Sequence, residues 1–572
     1  MSIPANINTC GKGRNMTEIV DAMDTNTLRG VSMLFINMPL RESAKPNNAP
    51  LGPALLASRL RNYGADVTIL DLNAYRIKDA TAMAADKPNG RWITYEETRS
   101  LLERHIGKHG RPDIIGLSGM ITTLRWQEFV ARTCRDFVPD TFLISGGGLA
   151  TEIRSGLINW IPELDAVVHS EGDDVLMVLA KDVLEAKVHK DVGMAHLPEC
   201  LGTLHGKPRF LYGGARPKNL NDLPFAAWDL LHSDVDGNPI LEWYIGVPIW
   251  GLAANNSSAT PFQMKKSMNT VSSRGCPFGC HFCFRGAQGE RQYGMRAPAN
   301  LVREAKWFRK EYKIDFLGFP DDNFAVDKKR IAELPGAFEV LGGLRWGTHT
   351  RLDESDERVF QMAEAGCIYI GFGAESASAY VLEQMGKGGF ILRPKGSKEN
   401  QLTRINGFDF PTTMVEGIKN CRQAGVHGNC TWIMTYPGEE LEHLKTSVAF
   451  IRWQVECATA GLAPGTPEYA NAEASINQKM FVATAYPGTA MCKSPKVMNI
   501  LRSHFGLSFD EFTNPIADDA LRTYVLELDD ATKVMQDPAG RPLNFGEMSD
   551  DQFLEAREHV DKDEIWKILD MK

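Results

Sequence analysis

The chain has 572 residues, 43% of them hydrophobic and 24% charged. That is an ordinary globular composition, long enough for two to four domains at roughly 100–200 residues each. The formal net charge of −9 argues against a general nucleic-acid binder, which would normally be basic. No run of about 20 apolar residues occurs, so no membrane-spanning helix is expected. The opening MSIPANINTCGKGRNMTE has no apolar h-region of a signal peptide. The expected compartment is the cytoplasm, where disulfides are rare. The eleven cysteines therefore read as reduced thiols or metal ligands.

Residues 1–30 are polar and rich in Gly, Asn and Thr, and read as a surface arm. VSMLFINMP, from Val31, is an apolar run ended by proline and predicts a buried strand. PLGPALLASRLRNYG then carries helical spacing and stops at Gly64. ADVTILDL, RPDIIGLSGMI, DTFLISGGG and LDAVVHS continue as strands, the last followed by the helical GDDVLMVLAKDVLEA. Strands alternating with helices imply a parallel sheet covered on both faces. Residues 31–215 are thus expected to form a doubly wound, Rossmann-like α/β domain. Such sheets bind ligands outside the carboxyl ends of their strands. Those ends carry Asn37, Asp71, Ser118, Gly119, Gly146, Gly147 and Gly148, with Thr122 close behind. The glycines suit either close ligand approach or tight strand-to-helix packing. GGGLAT does not match G-x-G-x-x-G, so no dinucleotide fingerprint is present.

Residues 216–265, with PKNLNDLPFAAWDLLHSD, read as a linker. A second alternation spans residues 266–488, with candidate strands MNTVSSR, IDFLGFP, LRWGTHT, CIYIGFGAES, HGNCTWIMTYP and QKMFVATAYP. Six β-α units in series suggest a full or partial parallel barrel, whose function would sit at the carboxyl ends of the strands. There the apolar runs give way to Arg274, Asp321, His349 with Thr350 and Arg351, Glu375, Glu439, and Tyr486 with Thr489. NQLTRINGFDF, near residue 405, reads as a loop. Residues 489–572 mix helix-like stretches and loops, and are expected to be mainly helical.

Cys276, Cys280 and Cys283 have the spacing C-x3-C-x2-C just after the first barrel strand. Zinc usually takes four protein ligands, often as two C-x2-4-C pairs, and no second pair is near. His281 is adjacent to Cys280 and awkward as a fourth ligand. Iron–sulfur clusters are also held by cysteine thiolates, normally four for a cube. Three would leave one iron open to an exogenous ligand, a catalytic feature.

CPFGCHFC fits the C-x3-C-x-Φ-C signature of radical S-adenosylmethionine (SAM) enzymes, with Phe282 at the aromatic position. More of the chain resembles the cobalamin-binding members, particularly the class B methyltransferases. The order of an α/β domain, DLPFAAWDLL and then the cysteine loop is similar. FLGFPDDNFAVD resembles their F-x-D-D-x-F segment, GCIYIGFGAESAS their G-x-E-S-G-S segment (with Ala377 in place of Gly), and MTYPGEE and AYPGT two later P-G turns. The D-x-H-x-x-G cobalt-binding motif of many cobalamin proteins is absent.

The resemblance implies a [4Fe-4S] cluster on Cys276, Cys280 and Cys283, with SAM chelated at the open iron. It implies SAM contacts from Phe282 (adenine), Asp321, Asp322 and Asn323 (amino end), and Glu375 and Ser376 (ribose). Arg274 and Arg285 flank the loop. Cobalamin is expected on Ser118, Gly119, Thr122, Gly146, Gly147 and Gly148. The implied activity is methylation of an unactivated carbon, or a phosphinate phosphorus, of a small metabolite. One SAM would donate the methyl through methylcobalamin and a second would supply the 5′-deoxyadenosyl radical. A non-methylating cyclase, ring-contracting or rearrangement enzyme is the alternative. A flavodoxin or ferredoxin would supply electrons; no nucleic acid or membrane partner is expected.

Overall fold

The structure is a computed structural model that describes residues 16–42, 48–188, 199–204, 207–246, 264–284, 292–529 and 534–572. The chain divides into two compact units. One comprises Met1–Lys218, Asp222–Trp243 and Ile516–Lys533; the other comprises Asn219–Asn221, Tyr244–Pro515 and Val534–Lys572.

In the first unit, β1 (Ser32–Asn37), β2 (Asp66–Asp71), β3 (Ile114–Gly119), β4 (Phe142–Gly147) and β5 (Ala166–His169) run parallel in the order β2-β1-β3-β4-β5. Their near-continuous apolar runs suit strands covered on both faces. Met33, Leu34, Phe35 and Ile36 are all buried, each such side chain contributing roughly 1.5–3 kcal/mol. The expected α/β architecture is therefore present, with four differences.

Of the expected arm, residues 16–30 pack into this unit. They carry a helix, Met16–Asp21, bury Val20 and Leu28, and tie the Leu28 N–H to the Tyr63 carbonyl at 2.8 Å; residues 1–15 lie outside the described residues. A hairpin not foreseen extends the sheet: β6 (Glu199–Leu204) pairs antiparallel with β7 (Lys207–Gly213), which lies parallel to β5. β6 is an edge strand with no buried residue, so it lacks the apolar run that marks a buried strand. The expected linker is mostly body: Trp228, Leu231 and Ile240 are buried in the first unit, and the Ala227 N–H bonds the Ala54 carbonyl at 2.9 Å. The expected C-terminal region is shared, Ile516–Lys533 belonging to the first unit and Val534–Lys572 to the second.

In the second unit, β8 (Ser267–Asn269), β9 (Phe316–Phe319), β10 (Arg345–Arg351), β11 (Cys367–Glu375), β12 (His427–Met434) and β13 (Phe481–Val482) follow one another in sequence order, all parallel. This is a partial barrel. Helices α1 (Pro298–Tyr312), α2 (Lys328–Phe338), α3 (Ala379–Gln384), α4 (Thr412–Gln423) and α5 (Leu441–Thr459) lie among the connections. A Cβ on Gly428 would meet Phe372 at 3.0 Å and the Cys421 sulfur of α4 at 3.1 Å. Phe372 therefore marks the helix-covered face, and the alternate residues of β10–β12 line the opposite, inner face. NQLTRINGFDF is a hairpin rather than a loop: Leu402–Ile405 pairs antiparallel with Phe408–Pro411. Asn406 and Gly407 make the turn at φ 51° and 88°, the positive angles an Asn-Gly turn supplies. Among the described residues no helix is long and apolar enough to cross a membrane.

Candidate functional site

The cysteine loop leaves the inner sheet through a buried polar knot. Asp321, just beyond β9 and 3% exposed, accepts the Ser272 N–H at 2.8 Å, the Ser273 hydroxyl at 2.6 Å and the Ser272 hydroxyl. Arg330 of α2 donates to the Ser272 carbonyl and hydroxyl, each at 3.0 Å, and stacks on Phe324 at 4.5 Å. Burial pushes the Asp321 carboxyl up, opposed by Arg330 and the two serines. Asp321 is thus a strut that sets where the loop departs, not a group presented to a ligand. The exposed Asp322 accepts the Gly275 N–H at 3.1 Å. Asn323 is fully buried; its Oδ1 accepts the Thr350 hydroxyl at 2.6 Å, and its Nδ2 has no partner.

Cys276, Cys280 and Cys283 follow as half-buried thiols outside any disulfide. The Cys283 N–H closes a turn on the Cys280 carbonyl at 3.2 Å. His281 clamps this turn: its N–H donates to the Met385 carbonyl at 2.8 Å, its Nδ1 lies 2.8 Å from the Gln384 carbonyl, and its own carbonyl accepts the Met491 N–H at 2.8 Å. A Cβ on Gly386, at φ 63°, would lie 2.6 Å from the His281 ring, so glycine is required there. His281 is a clamp and not a fourth ligand.

Among the described residues no three His, Cys, Asp or Glu side chains close on one point as a single bound ion needs. A four-iron cube takes each thiolate at a different corner and so asks for a wider spread. Burial sets several of the other cysteines apart. Burial pushes the thiols of Cys134, Cys421 and Cys492 up to about 12, which leaves them inert. The loop thiols fit a cluster.

On the inner face, His349 of β10 pairs in register with Gly371, and Arg351 with Gly373. A Cβ on Gly371 would touch the His349 ring at 2.5 Å. His349 keeps solvent exposure while protein atoms crowd its ring, which lowers its pKa to about 4 and leaves it a neutral imidazole at pH 7. Glu375 ends β11 at φ 66°, a conformation that costs a non-glycine residue energy. Its carboxylate lies 3.3 Å from the Lys387 Nζ and 3.5 Å from the Thr431 hydroxyl. Lys387 also stands 5.9 Å from the Phe282 ring, which meets Tyr436 edge-on at 6.4 Å.

Arg351 packs over the Phe278 ring at 4.0 Å, and its Nη1 lies 3.7 Å from the Cys280 sulfur. Lys387 beside Glu375 and the Arg351–Cys280 contact are features of the candidate site that sequence reasoning missed. A lysine three residues beyond a helix end carries no signal of its own.

Three expected residues turn away. Ser376 is fully buried, with its hydroxyl 3.2 Å from that of Ser447 and accepting the Ser378 N–H at 3.1 Å. Thr489 donates to the Tyr486 carbonyl at 2.8 Å and caps Cys492. Glu439 is fully buried beneath the turn after β12, where it accepts the Thr435 N–H at 2.6 Å. Burial pushes its pKa up to about 8. That value lies above the unfolded one, so the stability tied to its proton is complete below about pH 4 and lost as pH rises through about 8. Glu439→Gln is expected to remove that loss, worth up to a few kcal/mol at alkaline pH. Urea midpoints measured from pH 5 to 9 check this. Parallel curves for the two proteins would show that the carboxyl ionises freely.

In the first unit the strand ends sort into two groups. Asn37 donates to Asp71 at 2.7 Å, and the two satisfy each other. A Cβ on Gly119 would lie 2.1 Å from the Thr123 hydroxyl, and one on Gly147, at φ 89°, 2.6 Å from the Gly119 carbonyl. These two glycines are explained by packing. A Cβ on Gly146 would meet only the Val168 carbonyl, at 3.9 Å, and Gly148 opens a short helix. The Thr122 hydroxyl is buried without a partner, which is costly unless a ligand pairs it. Ser118 is half-buried at the end of β3. Gly146 and Thr122 therefore fit a ligand cradle.

Residues 270–451 match the radical SAM superfamily model. The chain carries a radical SAM domain. A [4Fe-4S] cluster and SAM are the cofactors of that family. An uncharacterised methyltransferase of Pyrococcus horikoshii is 23% identical over 482 residues, 82% of this chain and 84% of the relative. The cytidylyl-2-hydroxyethylphosphonate methyltransferase of Streptomyces wedmorensis is 26% identical over 429 residues, 70% and 72% of the two chains. The radical SAM methyltransferase TsrM of Kitasatospora setae, solved with cobalamin and a [4Fe-4S] cluster bound, superposes with a TM-score of 0.54. That match is 16% identical over 94% of this chain and 88% of TsrM, a likeness of fold. Arg285 lies outside the described residues.

Proposed function

We propose that this radical SAM enzyme is a cobalamin-dependent methyltransferase acting on an unactivated carbon, or a phosphinate phosphorus, of a small metabolite. One observation carries the reading. The chain joins a C-x3-C-x2-C loop at the strand ends of a partial barrel to a doubly wound sheet whose carboxyl edge keeps an open glycine, Gly146, and an unpaired buried hydroxyl, Thr122. The methyltransferases that align with most of its length, and the cobalamin in TsrM, support it.

When bound, the cluster supplies the electron that splits SAM to a 5′-deoxyadenosyl radical, and cobalamin carries the methyl group. The chain's own residues bind and orient. Cys276, Cys280 and Cys283 hold the cluster. Glu375, oriented by Lys387 and Thr431, accepts from the SAM ribose hydroxyls, and Phe282 packs on adenine. His349, neutral at pH 7, offers a hydrogen bond without adding charge. Ser118, Thr122, Gly146 and Gly148 cradle the cobalamin tail. A flavodoxin or ferredoxin delivers the electron.

The test is an anaerobic assay of the enzyme reconstituted with iron, sulfide and cobalamin, given SAM, a strong reductant and candidate acceptors. Equal amounts of S-adenosylhomocysteine and 5′-deoxyadenosine are expected. Deoxyadenosine alone would replace methyl transfer by cyclisation or rearrangement. A Thr122→Val variant is expected to retain cobalamin several-fold more weakly, read from the corrin absorption after desalting.

A further inference from the structure

We propose that the buried Arg351–Asp353 pair tunes the reduction potential of the cluster, holding its positive end against the Cys280 sulfur and its negative end away from it. The inference rests on the cluster reading of the cysteine loop and not on methyl transfer.

The geometry uses every edge of the guanidinium. Nε and Nη2 meet the two Asp353 oxygens at 2.9 and 3.2 Å. Nη2 also reaches the Lys387 carbonyl at 3.4 Å. Nη1 is left to point at the Cys280 sulfur, 3.7 Å away. The Phe278 ring, from the same loop, covers the flat face of the guanidinium at 4.0 Å. The side chains of Arg351 and Asp353 are only 8% and 4% exposed, so water screens little of their field.

One-electron reduction of a [4Fe-4S] cluster adds one negative charge, spread over irons and sulfurs. A cation that donates an N–H to a ligand sulfur stabilises that charge more than it stabilises the oxidised state. Hydrogen bonds to sulfur and local charge are among the levers that set such potentials. A lone buried arginine would push the potential far up. Asp353 offsets it, so the cluster feels an oriented dipole rather than a full charge. A cluster that must reduce SAM cannot be too easily reduced itself, and the pair sets that compromise. Nothing in a surface or substrate-binding role requires a carboxylate that engages the arginine from the side opposite the sulfur.

The test is a redox titration of the reconstituted enzyme, with dithionite and mediators, following the electron paramagnetic resonance signal of the reduced cluster. Arg351→Gln with Asp353→Asn removes both charges without stranding either. This double variant is expected to move the midpoint down by 59 mV or more, tenfold in the one-electron equilibrium. Asp353→Asn alone is expected to move it up, and Arg351→Lys to keep it within that tenfold range. Iron content is measured on each variant, so a misfolded loop is recognised by lost iron. Midpoints unchanged in both the double variant and Asp353→Asn, at full iron content, would overturn the proposal. So would a shift seen only with SAM bound, which would assign Arg351 to the SAM carboxylate. Wild-type enzyme without a reduced-cluster signal would instead overturn the cluster reading beneath it.

Discussion

Alanine at any one of Cys276, Cys280 or Cys283 is expected to cut bound iron from about four per chain to near zero. SAM cleavage should fall to background, a loss on the order of a thousandfold or more, as when an indispensable group is removed. The effect is large because three thiolates already leave one iron open, and two cannot hold a cube. The controls are internal. Cys134 and Cys421 are buried at 2% and 1% exposure, with thiols pushed up to about 12. Serine at either is expected to leave iron stoichiometry unchanged. Iron and sulfide analysis with the 5′-deoxyadenosine assay checks both. Full iron in any of the three loop variants would refute their role.

Asp321→Ala should have the second largest effect, because the Asp321 carboxylate anchors the start of the cysteine loop. Its removal takes a carboxylate out of the field of the Arg330 guanidinium, 2% exposed, and leaves the Ser272 N–H and two serine hydroxyls without their acceptor. Leaving buried donors without their acceptor costs about 1–3 kcal/mol each. The denaturant midpoint of the second unit's transition should drop accordingly, and iron retention should fall because the cysteine loop loses its anchor. Asp321→Asn keeps one acceptor and is expected to cost less. A midpoint unchanged in Asp321→Ala would mean that the loop is positioned by other contacts.

The cysteines and Asp321 show why the site was only partly legible. The cysteines are recognised by spacing along the chain, and spacing is visible in a sequence. Asp321 was expected among the SAM contacts because it follows a barrel strand. Its carboxylate is instead consumed by a residue 49 positions away. Ser376 is likewise taken by Ser447, 71 positions on. Polar residues at strand ends do gather at the site, but which of them face into it depends on partners brought in by folding. Lys387 and Asp353 carried no local signal; their side chains meet Glu375 and Arg351, which lie in the sheet. The NG hairpin at residues 402–411 was legible and overlooked, since an Asn-Gly turn is one of the strongest short-range signals.

By itself the sequence determined the two parallel α/β units, because strands covered on both faces need apolar runs whatever surrounds them. It determined the cluster loop as well, because three thiols within eight residues are a property of the chain. Only the tertiary structure decided that residues 222–243 and 516–533 belong to the first unit. It alone separated Gly119 and Gly147, shaped by packing, from Gly146, which is open. And it alone placed a buried arginine against a cluster cysteine 71 residues earlier. The physical reason is common to all three: burial and pairing are set by distance in space, and contacts between remote segments leave no periodic trace in either one.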